Sequence, residues 1–206
     1  MGRPREHGEK TRLALLGAAE SLVAARGLDA LSVRAMAADI GSSVRAVYSV
    51  FGSKHGLMVA LAQRGFQLLM NEVDSVPLTG DPAADLVRAA TLGFRPFVLG
   101  HPDLFKLLFI QSDIKIRPDV DDASEEAFGR LGARLERAGA DGVVPDRPVA
   151  ELGMEFHALC QGLATLELCG AMPPGQAERI WTHSFEDLVA GWRARAVATG
   201  TVARGE

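Results

Sequence analysis

No apolar run in the 206 residues approaches the about 20 needed to span a bilayer. The opening MGRPREHGEKTR is charged where a secretory leader would be apolar. The expectation is a cytoplasmic protein with no membrane partner. Cysteine is scarce. Cys160 and Cys169 fall in one helical pattern, would lie about 13 Å apart along its axis, and cannot form a bridge. Long strand-like alternation is missing, which points to an all-α chain. Also missing are G-x-x-x-x-G-K-[ST], a G-x-G-x-x-G after a strand, any C-x-x-C, and any His with a Glu three residues before it. His157 and Cys160 could share a metal but lack an obvious third ligand. No activated nucleophile stands out. The reading is of a protein that is not an enzyme and needs neither cofactor nor metal.

The charge that is present is unevenly spread. Residues 1–56 hold eight Lys/Arg against five acids, a net of +3, and the rest of the chain carries −7. A basic end on an acidic body suggests a polyanion partner for that end alone. Helical spacing runs throughout. Leu13, Leu16 and Val23 mark a helix over 10–26, which Gly27 ends. Ser32, Ser43 and Ser53 stand where N-caps belong, opening helices 33–40, 43–50 and 54–73. Pro77 and the TGDP at 79–82 read as a linker. Beyond it come helices over 82–99, with a kink expected at Pro96, then 101–111, 121–140, 148–169 and 174–197. The expected division is 1–56 and 57–206, with helix four, 54–73, connecting them.

The segment GSSVRAVYSVFGSKHGL, Gly41 to Leu57, contains no acid. It holds the second of two short helices joined by a Gly-Ser turn. That is the helix-turn-helix arrangement, whose second helix enters the major groove of DNA. Phosphates would repel acids there. Ser42 and Ser43 allow close approach, and Arg45 can donate two bonds to a guanine edge. Ala46 can touch a thymine methyl, and Tyr48 can offer its hydroxyl to a phosphate. Lys54 follows a capped helix start, where a cation and a helix N-terminus both favour phosphate. Ser32, Arg34 and Val44 complete the expected DNA-facing set. Val47 and Phe51 are expected in the core.

Residues 11–62, from TRLALLGAAE through LSVRAMAADIG and SSVRAVYSVFGSKHGL to MVALA, resemble the DNA-binding domain of the tetracycline-repressor (TetR) family. The ordered matches are the paired alanines of helix one, Gly27, the LSVRAMAADIG of helix two, Ser43, Tyr48 and Phe51, then Ser53, Lys54 and Leu57. The resemblance implies an N-terminal three-helix helix-turn-helix DNA-binding domain and a C-terminal helical ligand-binding and dimerisation bundle. It makes helix 43–50 the recognition helix and Tyr48 and Lys54 backbone contacts. There are departures. The family usually has a cation or proline at Val44, a threonine or similar at Ala46, and an acid at His55-Gly56. The first two change which bases are read; the last should weaken the cap of helix four. FRPFVLGHPDLFKLLF and HALCQGLATLELCG are similar to a ligand-domain subgroup marked by a Trp-His-Gly motif. Here that motif would fall on His157, Gln161 and Gly162, and two of its three residues differ.

The implied function is a ligand-responsive transcriptional regulator. It would be a repressor bound as a dimer to a pseudo-palindromic double-stranded operator and released by a small apolar or amphipathic effector. Phe94, Phe97, Phe105, Phe109, Phe128 and Phe156, with His157, Gln161 and Thr165, have the make-up of a small-molecule site: apolar walls with a few polar groups. The homodimer is expected through the eighth and ninth helices, 148–169 and 174–197. Ala158, Gly162 and Thr165 and the stripe Trp181, Phe185, Leu188 and Trp192 motivate it, either tryptophan being free to pack within the subunit. Two other classes stay open: a helical ligand-binding or interaction module without DNA binding, and a helical-bundle enzyme.

Overall fold

In the computed structural model the residues described are 3–28, 31–39, 41, 43–110 and 118–202. Ser42, expected at the DNA, lies outside them. Every regular element among the described residues is helical. α1 is Arg3–Arg26, α2 Val33–Asp39, α3 Val44–Phe51 and α4 Lys54–Ser75. α5 combines Pro82–Arg88, a π-helical stretch Ala89–Phe94 and Arg95–Gly100. α6 combines Pro102–Phe105 and the π-helical Lys106–Ile110. α7 is Pro118–Ala140, α8 Val149–Leu168 and α9 Ala177–Val202. The chain forms two compact units. One runs up to Phe66 and resumes at His101; the other holds Gln67–Gly100 and continues from Ser124, so α4 contributes to both.

In the first unit α1 meets α2, α3 and α6. Leu15, Leu16, Ala19, Leu22 and Val23 are buried and Leu13 is exposed. The stripe expected through Leu13 therefore starts at Leu15 instead. Two residues apart, the two leucines point about 160° from each other round the helix. Met36 from α2, Val47 and Phe51 from α3, and Leu57 and Leu61 from α4 fill the core against them. Phe66 and Phe109 meet edge-on at 5.9 Å, and Phe105 lies 5.6 Å from Phe109.

In the second unit the buried residues Leu86, Ala90, Phe94 and Val98 of α5 recur at every fourth position. In an α-helix each step of four advances about 40°, so three steps would carry the face about 120° round. The wider π turn takes that drift back. The same turn lies just upstream of Pro96, where a kink is expected. The π stretch stands directly before the proline, and the Arg95 N–H bonds the Ala90 carbonyl. The wide turn makes room for the ring and its missing N–H.

α8 and α9 are joined by paired bonds. The Trp181 indole donates to Glu167 at 2.7 Å and the Trp192 indole to Glu155 at 2.9 Å. Trp181, Phe185 and Trp192 are buried within the single chain, and Leu188 is half-buried. Trp181 and Trp192 thus pack within the subunit, as was left open for them, and so does Phe185; of the stripe only Leu188 keeps a partly open side.

α7 is tied to the linker through Asp85, which is 2% exposed. Its carboxylate accepts the Thr79 N–H at 2.9 Å, the Thr79 hydroxyl at 2.8 Å and Arg137 Nη2 at 2.7 Å. Burial alone would push this carboxyl up; the bonds from Thr79 and Arg137 outweigh it and hold the group below its ordinary 3.8. Because the folded value is the lower one, the stabilisation is complete above the ordinary value and is lost as pH falls through the folded value. Asp85→Ala should cost on the order of 3 kcal/mol at neutral pH, read from the urea midpoint. The gap from the parent should narrow below about pH 4.

Candidate nucleic-acid interface and effector site

Three serine caps build the first candidate site. The Ser32 hydroxyl accepts the Ala35 N–H at 3.0 Å, that of Ser43 accepts the Ala46 N–H at 3.1 Å, and that of Ser53 accepts the Gly56 N–H at 3.0 Å. Each hydroxyl serves as acceptor in its cap, so its own proton can still be given to a neighbouring oxygen. Gly52 ends α3 at φ 72°, a left-handed turn that glycine enters without steric cost, and its N–H closes on the Tyr48 carbonyl. Gly56 allows the next turn. A Cβ at that position would collide with the Phe51 carbonyl oxygen. The acid usual in the resembled family at Gly56 could not fit this turn, and glycine there leaves the Ser53 cap intact.

Within α3, Val47 and Phe51 are buried, while Arg45, Tyr48 and Ser49 are exposed and Val44 and Ala46 half-buried. Counting about 100° per residue puts Ser49 at the centre of the outward face, with Arg45 and Ala46 beside it and Tyr48 on its flank. Ser49 was not among the residues expected at DNA; its place four residues after Arg45 is the signal that would have found it. Arg34, Ser43 and Lys54 are also exposed. The first turn of α4 carries no acid, and no acid occurs between Asp39 and Glu72. The helix N-terminus thus keeps its positive partial charge beside Lys54.

The nine residues expected at an effector fall into several groups. Phe105 and Phe109 belong to the first unit, in the ring cluster with Phe66. In the second unit the half-buried His157 ring stands edge-on to Phe94 at 6.2 Å and to Phe128 at 5.1 Å. Phe94 also lies 6.5 Å from Phe97 and 6.4 Å from Trp181. Phe156, one residue away, points to α9 and meets Phe185 at 4.7 Å. Gln161 is half-buried, and the exposed Thr165 donates to the Gln161 carbonyl on the outer side of α8.

Sequence reasoning missed the polar group beside these rings. Arg95 forks onto Glu167 at 2.8 and 3.0 Å, and Trp181 shares that carboxylate. The hydrogen bonds that Arg95 donates to Glu167 raise it above its ordinary value against the opposing effect of burial. The Cys160 thiol is pushed well above its usual range by burial, which leaves it unreactive at neutral pH. Among the described residues no three metal-ligating side chains gather, and no helix is long and apolar enough to cross a membrane. A groove of about 370 Å³ runs between α5 and α9, lined by Ala84, Val87, Arg88, Glu186, Val189 and Arg193 among others. None of the nine expected residues lines it.

The family model for the tetracyclin repressor-like C-terminal domain matches residues 87–191, half of the chain, and that for bacterial regulatory proteins of the tetR family matches residues 15–61. No curated protein matches. Similar solved structures include a protein of unknown function from Rhodococcus sp. RHA1, 23% identical, covering 89% of this chain and 95% of that one with a TM-score of 0.76. A second is the TetR family transcriptional regulator PfmR from Thermus thermophilus, at 22% identity, 85% and 96% coverage and a TM-score of 0.63. A third, a transcriptional regulator from Saccharomonospora viridis in complex with choline, has 21% identity, 88% and 96% coverage and a TM-score of 0.69. At these identities the likeness is one of fold.

The turn before α4 yields a direct test. Gly56→Ala should destabilise the chain by about 1–3 kcal/mol, the usual cost of a forced backbone contact. Ser53→Ala should cost about 1 kcal/mol through loss of the cap. Thermal melts followed by circular dichroism would measure both.

Proposed function

The chain belongs to the tetracycline-repressor (TetR) family and is one of its DNA-binding, ligand-responsive transcriptional regulators, and on that premise we propose that it is a cytoplasmic repressor that sits as a homodimer on a pseudo-palindromic operator and leaves it when a small apolar or amphipathic effector binds. The observation that carries the DNA half is the outward face of α3. It joins Arg45, Ser49 and Ala46 without an acid, next to a Ser53-capped helix start that bears Lys54. Arg45 reads a base edge; Tyr48, Lys54, Arg34 and the capping serines hold phosphates. One two-turn helix reads too few base pairs to be specific, and two-fold symmetry doubles the site.

For the dimer, the outer face of α8 is the supporting surface. Met154 is 61% and Leu166 48% exposed, and Ala158, Gly162 and Thr165 lie exposed between them. Small side chains let a second helix approach closely, and α9 flanks the contact. For the effector, Phe94 and Phe128 around His157, with Trp181 against Phe94, form the aromatic wall, and Phe97 adjoins it. Such rings suit an apolar molecule or a lipophilic cation, which an aromatic face attracts. The choline held by the Saccharomonospora viridis regulator is a quaternary ammonium cation, which aromatic faces also attract.

Duplexes selected by the protein from a random pool test the reading as a whole, and a protein that enriches no sequence sinks it. Arg45→Ala should weaken the best duplex by about 1–3 kcal/mol and flatten preference at one base pair per half-site. Lys54→Ala should weaken all duplexes alike and lower the salt slope by about one unit per site. Ala158→Glu should turn the dimer into a folded monomer at micromolar concentration, seen by light scattering; a dimer of unchanged mass would move the interface elsewhere.

A further inference from the structure

The groove between α5 and α9 lies wholly within the second unit, and no residue of the aromatic wall around His157 lines it. Ala84 and Arg88 point about 160° away from the buried Leu86, so the groove is on the other side of α5 from its inward row. Phe94, late in α5, meets Trp181, early in α9, so the two helices run antiparallel. Asp81 and Arg193 therefore stand at one end of the groove, Arg88 and Glu186 at the other. Between them the lining is small and apolar: Ala84 and Val87 from α5, Val189 and Ala190 from α9. At about 370 Å³ the space is at the small end of ligand sites. Asp81 is already engaged, since its carboxylate caps α5 by accepting the Ala83 N–H at 2.9 Å and the Ala84 N–H at 3.3 Å. Arg88 and Glu186 are not. Arg88 Nε is buried without a hydrogen-bond partner, and among the described residues Arg88 and Glu186 form no ion pair with each other. A buried donor left unmade is a standing cost that an arriving acceptor removes.

We propose that this groove is a second small-molecule site, separate from the aromatic wall, and that it takes an amphipathic zwitterion of the apolar α-amino acid class. The ligand carboxylate lies side-on to the Arg88 guanidinium, where Nε and one Nη make a fork that matches its two oxygens. The ammonium, on the same carbon, turns to Glu186 on the opposite wall. The apolar side chain runs along Ala84, Val87, Val189 and Ala190. The charges of the lining choose this class over simpler ones. An anion alone would satisfy Arg88 but stand against the carboxylate of Glu186. A cation alone would leave Arg88 Nε unmade. A molecule that carries both charges on one carbon pairs each wall with its opposite and leaves no charge partly buried without a partner. The small side chains between the two helices leave room for a short aliphatic chain and offer it no polar group to desolvate.

Free leucine is the probe, titrated into the full-length protein by isothermal titration calorimetry without DNA, so the result does not depend on the regulator reading. It should bind with a dissociation constant below about 1 mM, within reach of a ligand of its size. Leucinamide, which lacks the carboxylate, and isocaproate, which lacks the ammonium, should each bind at least about tenfold more weakly. Arg88→Met and Glu186→Gln should weaken leucine to the same extent, and Ala84→Leu, which fills the groove from the α5 side, should abolish its binding. Circular dichroism melts establish that each variant is folded at the temperature of the titration. No saturable heat with leucine up to about 10 mM overturns the site. An amide or a carboxylate analogue that matches leucine overturns the zwitterion. Leucine bound at the parent's affinity by folded Arg88→Met or Glu186→Gln puts the ligand elsewhere and overturns the assignment to this groove. Should Arg88→Met fail to fold, Glu186→Gln, at an exposed position, and Ala84→Leu decide by the same criterion.

Discussion

Two glutamates on α8 are the points on which the second unit turns. Glu167 takes the Trp181 indole and the fork of Arg95; Glu155 takes the Trp192 indole and Arg147 at 2.7 Å. An indole N–H can only donate, and leaving it unmade in the interior costs about 1–3 kcal/mol. Each tryptophan must therefore find its carboxylate. With Glu155 paired to Trp192 and Glu167 to Trp181, the helices run antiparallel and cannot slip by a turn without breaking both pairs. The bonds from Arg147 and Trp192 also hold Glu155 below the ordinary carboxyl range, so it stays ionised to play this part.

The register fixed in this way decides what α8 shows to each side. Leu152, Phe156, Cys160 and Leu163 turn inward. His157 is placed against Phe94 and Phe128, and the row from Met154 to Leu166 is left outside. The proposed effector wall and the proposed dimer face are thus two sides of one helix. Neither could be repositioned without the other. Arg95 extends the same constraint into α5, since its partner Glu167 is shared with Trp181.

Much of this was legible in the sequence, for local reasons. A serine followed three residues later by its bonded amide marks a helix start, and Ser32, Ser43 and Ser53 all behave so. Gly52 marks the end of α3 through a backbone angle that other residues avoid. The ordered matches around Tyr48 and Phe51 located the helix-turn-helix. What stayed hidden depends on neighbours distant in sequence. An apolar stripe such as Trp181, Phe185 and Trp192 looks the same whether it meets its own core or a second subunit; the paired glutamates tell the difference, and they lie on another helix. Periodicity says that Phe105 and Phe156 point inward without saying which rings they meet. Ser49 was passed over because serine draws attention only at a cap.

The π stretch Ala89–Phe94 bears on how this chain should be aligned with its relatives. A single extra residue inserted into an α-helix can be absorbed as such a turn, leaving the helix on both sides intact. Faces upstream and downstream then stay in phase in space but fall out of phase in residue number. A relative lacking the turn would match Leu86 without a gap and yet place a different residue opposite Phe97 and Val98. An ungapped comparison of α5 would then assign inward positions to outward ones beyond Phe94, and kinship in this part of the chain would look weaker than it is.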